Sequence, residues 1–273
     1  MAIAVCLKWV PLRVEVDPLT GRVSTSEQEY GLSAADEAAL EWALRLSDAW
    51  HEPIVAVTAG GLSSNGALRM AGMFGVERLV RVDMNPEATS AAVAVGLASA
   101  IRESSVVMCG DYSVDRGSGS VPAFVAAELD SVQALGLVAI DVGLESQLNV
   151  VRRLDGGRRE RLEVTSRAVL SVEGSTTRLR RAGLNGVVES GRHPIEVVRA
   201  DGFINRQVHG RRPFRPRARE LAGPVGLSPF DRVRAVVSGP ATTRSAPVHL
   251  APAEAADLIV AKLAEWGYLP EAD

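Results

Sequence analysis

Apolar strand-like segments alternate with helical segments through the first half of the chain, and this alternation is the strongest constraint on its fold. Strands are predicted at residues 3–10, 53–58, 79–82 and 105–109, and helices at residues 33–46, 63–73, 89–101 and 121–129. Strands separated by helices need crossover connections, which favour a parallel sheet with helices on both faces. The sequence therefore predicts an α/β fold with a doubly wound, mostly parallel, Rossmann-like sheet, whose ligands bind beyond the carboxyl ends of the strands.

The pattern changes after about residue 140. Residues 155–157 read Asp-Gly-Gly and lie between two extended segments, which predicts an antiparallel hairpin. Further extended segments at 168–172 and 194–198 flank an arginine- and glycine-rich excursion. We predict a nucleotide-binding α/β domain at 1–200, followed at 201–273 by a C-terminal arm and a terminal helix that contact a partner.

The arm carries six arginines between residues 206 and 219. Phe214 is the only aromatic residue among them, and the net charge of the chain is −3. Because nucleic-acid surfaces combine basic residues with aromatic platforms, we interpret this run as solvated or facing a protein partner. No nucleic-acid partner is expected.

Composition and motifs exclude several classes of protein. Cys6 and Cys109 lie in separate predicted strands without the spacing of a disulfide framework or a metal site, which fits a reducing cytosol. No secretory signal pattern and no run of roughly 18 apolar residues occurs, so we expect a cytoplasmic protein without membrane insertion. The motifs G-x-S-x-G, H-E-x-x-H and G-x-x-x-x-G-K-[ST] are also absent. The search for catalytic motifs is therefore mostly negative, and no metal site is predicted.

A loop of small residues connects the strand at 105–109 to the helix at 121–129. Gly117, Ser118, Gly119 and Ser120 leave the backbone accessible, and the following helix start offers unpaired N–H groups to an anion. The loop suits a phosphate, although a plain strand-to-helix turn has the same pattern. Pro122 replaces the last glycine of G-x-G-x-x-G, which disfavours a dinucleotide site for hydride transfer.

Two other helix starts also have both a structural and a ligand-binding interpretation. Ser33 and Asp36 have the spacing of a capping box, and Gly60-Gly61 leads into a helix. Capping and ligand contact are compatible, because both use the first turn of a helix.

Six segments in order resemble the beta subunit of electron transfer flavoproteins. The opening VCLKWVP is similar to that family's V-x-V-K-x-V-P strand, and CGDYSVDRGSGSV to its C-G-x-x-A-I-D-G-D-T-G-Q-V loop. The similar segments are residues 5–11, 33–46, 67–78, 109–121, 194–197 and 260–267. No single motif decides the resemblance, but the collinear order covers nearly the whole chain.

The resemblance implies an electron-carrier heterodimer, in which an alpha subunit holds most of the FAD. This subunit would be adenine-nucleotide-binding, with AMP as a structural ligand, so it would have no catalytic residues of its own and would not be an enzyme. Electrons would pass from a dehydrogenase to a quinone reductase or another acceptor. The implied AMP contacts are Cys6, Ser33, Ala34, Ala35, Asp36, Ala59, Asp115, Arg116, Gly117, Ser118, Gly119, Ser120, Val121, Pro122 and Ala123. The implied partner-recognition loop is Thr176, Thr177, Arg178, Leu179, Arg180 and Arg181.

Three departures from the family pattern indicate a divergent branch. Ser33-Ala34-Ala35 replaces Asn-Pro-aromatic, and Arg116-Gly117 replaces Gly-Asp, where the arginine either contacts phosphate or faces water. The loop at 176–181 keeps only Arg180 of the usual L-N-E-P-R-Y and lacks its leucine anchor. These departures point to a dedicated electron donor, and the branch resembles the one associated with the peptide-derived cofactor mycofactocin.

Three alternatives remain open from the sequence. The first is a second FAD in place of AMP, as in electron-bifurcating relatives; Gly119 favours AMP, since those relatives carry alanine there. The second is a stand-alone adenine-nucleotide-binding regulator of the universal-stress type. The third is an enzyme that acts on an adenylated substrate, which the missing acid, base and metal groups disfavour.

Overall fold

The computed structural model describes residues 2–76, 78–143, 147–165, 167–199, 223–224, 226–238 and 249–266. The chain divides into two compact units, Met1–Phe214 and Arg215–Asp273. The predicted domain boundary at residue 200 and the arginine run at 206–219 lie outside the described residues. The domain boundary therefore stays a prediction.

The strands and helices of the described residues follow in chain order. The strands are β1 (Ala2–Cys6), β2 (Val10–Pro11), β3 (Glu15–Val16), β4 (Val23–Ser24), β5 (Tyr30–Gly31), β6 (Ile54–Ala59), β7 (Arg78–Asp83), β8 (Ser104–Gly110), β9 (Val132–Val142), β10 (Leu148–Arg153), β11 (Arg159–Val164), β12 (Ala168–Val172) and β13 (Ile195–Arg199). The helices are α1 (Ala34–Trp50), α2 (Asn65–Gly72), α3 (Ser90–Ala100), α4 (Val121–Glu128), α5 (Leu184–Ser190), α6 (Pro229–Ser238) and α7 (Pro252–Glu265).

One nine-stranded sheet organises the first unit, in the order β11-β10-β9-β12-β8-β1-β6-β7-β13. Every neighbouring pair from β9 to β13 is parallel, and β10 and β11 add the antiparallel hairpin. The predicted α/β class with a mostly parallel sheet is thus confirmed. From β1 the chain builds outwards to β6 and β7, then returns to place β8 on the other side of β1. The strand order therefore reverses between β1 and β8, where open α/β sheets bind their ligands.

Helices cover both faces of this sheet, so that successive residues of a strand enter different cores. Ile3 and Val5 of β1 pack in a cluster with residues of α1 and α2. Ala4 and Cys6 of the same strand pack in a second cluster with residues of α3 and α4. Burial on both faces explains why the central strands are continuously apolar rather than alternating.

The start of α1 lies against the carboxyl ends of β8 and β12. Its N-cap is Ser33, whose Oγ accepts a hydrogen bond from the Asp36 amide at 3.1 Å, as the capping-box spacing predicts. Glycines make this approach possible. A β-carbon on Gly110 would lie 3.1 Å from the backbone of Ala35, and one on Gly174 would lie 2.8 Å from Ala34.

The sequence pattern does not predict β9, α5 or α6. The length predicted for the first strand is wrong. The strand predicted at 3–10 ends at Cys6, because β2 turns away and pairs antiparallel with β5. The excursion between β12 and β13 contains α5, whose position comes from tertiary contacts. Gly186 lies directly against the carbonyl of Met73, and Arg69 Nη1 donates to the carbonyl of Ser190 at 2.6 Å.

The described part of the second unit consists of α6 and α7, and it has no core of its own. None of its described residues is buried. The helix predicted at 252–268 is present as α7, with residues 267–268 outside the described part. No described helix is both long and apolar enough to cross a bilayer.

Candidate functional site

A cleft opens at the carboxyl edge of the sheet, beside the point where the strand order reverses between β1 and β8. It encloses about 800 Å³ when its open mouth is included. Its walls come from the segments that follow β1 and β8 and from the starts of α3 and α4. This is where the topology predicts a ligand.

The loop before α4 presents free backbone donors to this cleft. Gly117 and Gly119 adopt positive φ values of 64° and 58°. Among the described residues, no protein acceptor receives the N–H groups of Ser118, Gly119, Ser120 and Val121. Such a group of free amides at the start of an eight-residue helix is suited to an anion.

Glycine at position 119 is required by two independent features. Its φ lies in the left-handed region, which side chains with a β-carbon rarely adopt. In addition, a β-carbon there would lie 2.7 Å from the carbonyl oxygen of Asp111. The loop conformation therefore depends on Gly119.

A lysine spans the cleft between β1 and this loop. Lys8 Nζ donates to both carboxylate oxygens of Asp115, at 2.6 and 2.7 Å, and to Ser113 Oγ at 3.4 Å. Lys8 and Ser113 line the cleft. Burial would raise the pKa of Asp115, but the hydrogen bonds and charge of Lys8 outweigh it and lower that pKa. The ion pair thus holds the loop against the end of β1.

Arg116 fastens the same loop to the opposite wall. Its Nη1 donates to the carbonyl of Ala88 at 2.7 Å, and its Nη2 donates to the carbonyl of Pro86. The sequence left a phosphate contact and a solvent-facing side chain as its two possible roles. Both Nη atoms bind the turn that precedes α3, and a phosphate contact through the remaining N–H groups stays a prediction.

The floor of the cleft contains two free thiols in register. Cys6 of β1 lies opposite Cys109 of β8, and both are buried and line the cleft. The hydrogen bond to Cys6 and burial raise the pKa of Cys109 well above its ordinary value. Cys109 is therefore protonated and poorly nucleophilic at neutral pH.

A buried carboxyl group adjoins the thiols. Asp36 lines the cleft, and burial raises its pKa to about 7 despite opposing hydrogen bonds from Ser33. The Ser33 hydroxyl donates to its Oδ2 at 2.7 Å. Asp36 is consequently present in both protonation states near neutral pH.

The structure brings most of the predicted nucleotide contacts together. Those that line the cleft are Cys6, Asp36, Ala59, Arg116, Ser118, Gly119, Ser120, Val121 and Pro122. Those that do not line it are Ser33, Ala34, Ala35, Asp115, Gly117 and Ala123. Two of the latter hold residues that do line the cleft: Ser33 donates to Asp36, and Asp115 accepts from Lys8.

Sequence reasoning missed other residues of the wall. They are Leu7, Lys8, Ser90, Val93, Leu97, Cys109, Gly110, Asp111, Tyr112 and Ser113. The predicted strand ends and the start of α3 were a usable signal for some of them, since a doubly wound topology gathers such segments at one edge. Nothing in the sequence pairs Lys8 with Asp115.

The predicted partner-recognition loop is fixed to α1. Arg180 Nε and its amide both donate to Glu41 Oε2 at 3.0 Å, and Arg180 Nη1 donates to Asp48 at 3.0 Å. Arg45 Nη2 donates to Thr177 Oγ1 at 2.7 Å. Leu179 packs against the core beside these bonds.

Hydrogen bonds to α1 engage the side chains of Thr176, Thr177 and Arg180 in this loop. The carboxylate of Glu41 is buried, so the guanidinium of Arg180 serves as its partner. Trp42 Nε1 also donates to Thr176 Oγ1 at 3.3 Å. Arg178 and Arg181 remain exposed. A role of this loop in partner recognition stays a prediction.

Comparison with known proteins gives the family. Residues 20–202 match the family model described as electron transfer flavoprotein domain. The chain belongs to this family. It is 26% identical over 204 residues to the electron transfer flavoprotein subunit beta of Syntrophomonas wolfei, covering 73% of this chain and 80% of that protein. It is also 32% identical over 171 residues to protein FixA of Rhizobium meliloti, covering 58% of each.

The resemblance read from the sequence motifs is thereby confirmed. The chain is an electron transfer flavoprotein beta-subunit-like protein, and electron transfer is the role that its family supports. In the part of the chain that the structure describes, no group of three or more His, Cys, Asp or Glu side chains is arranged to hold a metal ion.

Proposed function

We propose that this chain is the beta subunit of an electron transfer flavoprotein heterodimer and binds AMP as a structural ligand in the cleft. FAD, held mainly by the alpha subunit, supplies the electron-carrying chemistry when bound. Electrons arrive from a dehydrogenase and leave to a quinone reductase or another acceptor. The observation that carries the AMP assignment is the set of unpaired amides at 118–121 beside the point where the strand order reverses.

The residues of the loop fit a phosphate monoester. The amides of Ser118, Gly119, Ser120 and Val121 would donate to phosphate oxygens, and the dipole of α4 adds partial positive charge. The hydroxyls of Ser118 and Ser120 are hydrogen-bonded to each other at 3.1 Å, which leaves one O–H free to donate to the phosphate. The absence of side-chain bulk at Gly119 lets the backbone approach the ligand.

The inner part of the cleft fits an adenosine. Val93 and Leu97 of α3 supply apolar contacts, and Ala59 and Cys6 supply small ones. The carboxyl of Asp36 is the hydrogen-bonding group of this region. A mostly apolar cleft with a few placed polar groups is typical of small-molecule sites.

The chain's own part in electron transfer is passive. The thiol of Cys109 lies beside the Asp36 carboxyl, but burial and the hydrogen bond to Cys6 disfavour its thiolate, which is the nucleophilic form. Cys109 is held in the protonated state, and Lys8 is engaged by Asp115. Binding and positioning are therefore the functions that these side chains support.

The second unit supports the heterodimer. Helices α6 and α7 expose large apolar side chains, which are Phe230, Val233, Val236, Val237, Leu258, Ile259, Val260 and Trp266. A chain segment that buries no apolar residue cannot offset the entropy of ordering its backbone. A partner subunit that covers these faces would supply the missing burial.

The Gly119 geometry favours AMP over a second FAD. The resemblance associates glycine at this position with AMP binders and alanine with bifurcating relatives. A β-carbon at 119 would lie 2.7 Å from the Asp111 carbonyl oxygen, so this backbone conformation is specific to glycine.

Coexpression of the chain with an alpha subunit of the same family tests the proposal. We expect a yellow complex of one chain each, from which heat releases about one FAD and about one AMP per complex. Released nucleotides are separated chromatographically and quantified by absorbance. A colourless pair, two flavins per complex, or a homo-oligomer with bound nucleotide and no flavin would each contradict it.

A further inference from the structure

Lys8 and Arg116 are the cationic side chains among the described residues that line the cleft, and they differ in how firmly they are held. Lys8 and Arg116 both line the cleft near the loop at 118–121. Arg116 is bound through both Nη atoms to the carbonyls of Pro86 and Ala88, so moving it would leave two main-chain acceptors unpaired. Arg116 therefore holds the loop in place against the turn that precedes α3.

Lys8 has one weakly bound donor. Two of its three N–H groups are used by the carboxylate of Asp115, at 2.6 and 2.7 Å. The third interacts with Ser113 Oγ at 3.4 Å, which is long for a hydrogen bond. A phosphate oxygen accepts more strongly than a hydroxyl, so it would replace Ser113 without breaking the ion pair.

A phosphate in this cleft would have two carboxyl groups among its neighbours. Asp36 and Asp111 both line the cleft, and any negative charge that they carry repels a phosphate. Asp111 Oδ1 is buried without a partner. The helix dipole supplies only about half a positive charge, whereas a phosphate monoester carries up to two negative charges.

We propose that Lys8 is the residue by which this cleft distinguishes AMP from adenosine. Its ammonium contacts the phosphate, and Asp115 is a positioning residue that keeps the ammonium beside the loop. This assignment rests on the proposed AMP site, because it assumes a phosphate at the amides of 118–121. If Lys8 only clamped the loop, it would matter equally for both ligands.

The test uses the full chain and measures its affinity for AMP and for adenosine by calorimetry. We expect Lys8→Met to weaken AMP binding roughly 10- to 100-fold, the range of a lost charge-assisted hydrogen bond. Adenosine affinity should stay within about 2-fold, as no adenosine group meets the ammonium. Lys8→Arg keeps the charge and should restore part of the AMP preference.

Two further variants serve as controls. Lys262, the only other lysine, is exposed on α7 and paired with Glu265, so Lys262→Met should change neither affinity. Asp115→Asn removes the ion pair but leaves the ammonium. Because the ammonium is then no longer held beside the loop, the ratio of AMP to adenosine affinity should fall, but by less than in Lys8→Met.

The outcomes separate the two proposals. Equal losses of AMP and adenosine binding in Lys8→Met, or no loss of AMP binding, would overturn the role of Lys8 while leaving the AMP site intact. Equal losses of both ligands in Asp115→Asn that match those in Lys8→Met would indicate a clamp and would also overturn it. A wild-type chain that binds neither ligand would refute the AMP site itself, and the role of Lys8 with it.

Discussion

Helices α1 and α4 both begin at the carboxyl edge of the sheet beside the cleft, but of the two only α1 has a side-chain cap. Ser33 accepts from the Asp36 amide and donates to the Asp36 carboxylate. Ser120, the residue before α4, makes no capping bond, and the amides around it stay free. Two helix starts of similar position thus have different tasks. The capped one stabilises the fold, and the uncapped one is available to a ligand.

The largest expected effect comes from removing the backbone conformation that leaves the α4 amides free. In Gly119→Ala, the new β-carbon would meet the Asp111 carbonyl and the residue would keep a left-handed φ. We expect a loss of about 3 kcal/mol in the free energy of unfolding and at least about 100-fold weaker AMP binding. Urea unfolding and calorimetry measure the two quantities.

Gly117→Ala is the matched control for this variant. Gly117 also has a positive φ, but its β-carbon would lie 4.0 Å from the nearest carbonyl oxygen. Only backbone strain is introduced, so the loss should be about 1 kcal/mol. Equal effects of the two substitutions would show that the contact with Asp111 is irrelevant.

The pH dependence of the free energy of unfolding tests the role of Asp36 in the first turn of α1. Because burial raises the pKa of Asp36 from 3.8 to about 7, the folded state holds its proton more tightly than the unfolded state. Stability associated with Asp36 is therefore greatest below pH 4 and falls as the pH rises to about 7. Asp36→Asn should raise the free energy of unfolding at pH 8 on the order of 2 kcal/mol.

The same variant should change stability little at pH 4, because the wild-type carboxyl is then neutral as well. Thermal unfolding of both proteins between pH 4 and pH 8 measures the difference. A difference that is constant over this range would mean that Asp36 does not change its charge there.

Exchanging serine for alanine at the two helix starts separates their tasks directly. Ser33→Ala removes the cap of α1 and should lower the free energy of unfolding by about 1 kcal/mol. Ser120→Ala should leave stability within about 0.5 kcal/mol and weaken AMP binding about 3- to 10-fold. Both variants are measured under the same conditions. A larger loss of unfolding free energy in Ser120→Ala than in Ser33→Ala would contradict the assignment of a structural role to the α1 cap and a ligand-binding role to the start of α4.

The smallest effect concerns the thiols between the two helix starts. Cys6 and Cys109 are buried, and the pKa of Cys109 is raised, so a thiol reagent should react at least about 10-fold more slowly than in urea. AMP in the cleft should slow the reaction further. The rate is followed by the absorbance of the coloured thiolate that the reagent releases. A reaction as fast as in urea would show that the two thiols are accessible to solvent in the folded protein.

The parallel sheet and the loop could be read from the sequence because both depend on local patterns. Apolar runs, helix-forming segments and the glycine-serine loop are contiguous in the chain. Strand β9 is less regular, since Gly136 and Asp141 interrupt its apolar residues, and it is specified by pairing with β10 and β12. Helix α5 contains Gly186 and two valines, which are weak helix formers.

The polar contacts of the site could not be read in the same way. Lys8 meets Asp115 across 107 positions, and Arg180 meets Glu41 across 139. Such pairs are decided by which loops the sheet brings to one edge. From the sequence, Arg116 could be expected to contact phosphate or water. The main-chain carbonyls that it binds come close to Arg116 only when α3 has packed against the sheet.

Arg116 has a consequence for the exchange of a bound nucleotide. One guanidinium joins the loop before α4 to the turn before α3, and both of these segments border the cleft. These two hydrogen bonds must break before the two segments can move apart. A nucleotide held between them would therefore leave slowly, and a shorter side chain at 116 would shorten its residence time more than it slowed its arrival.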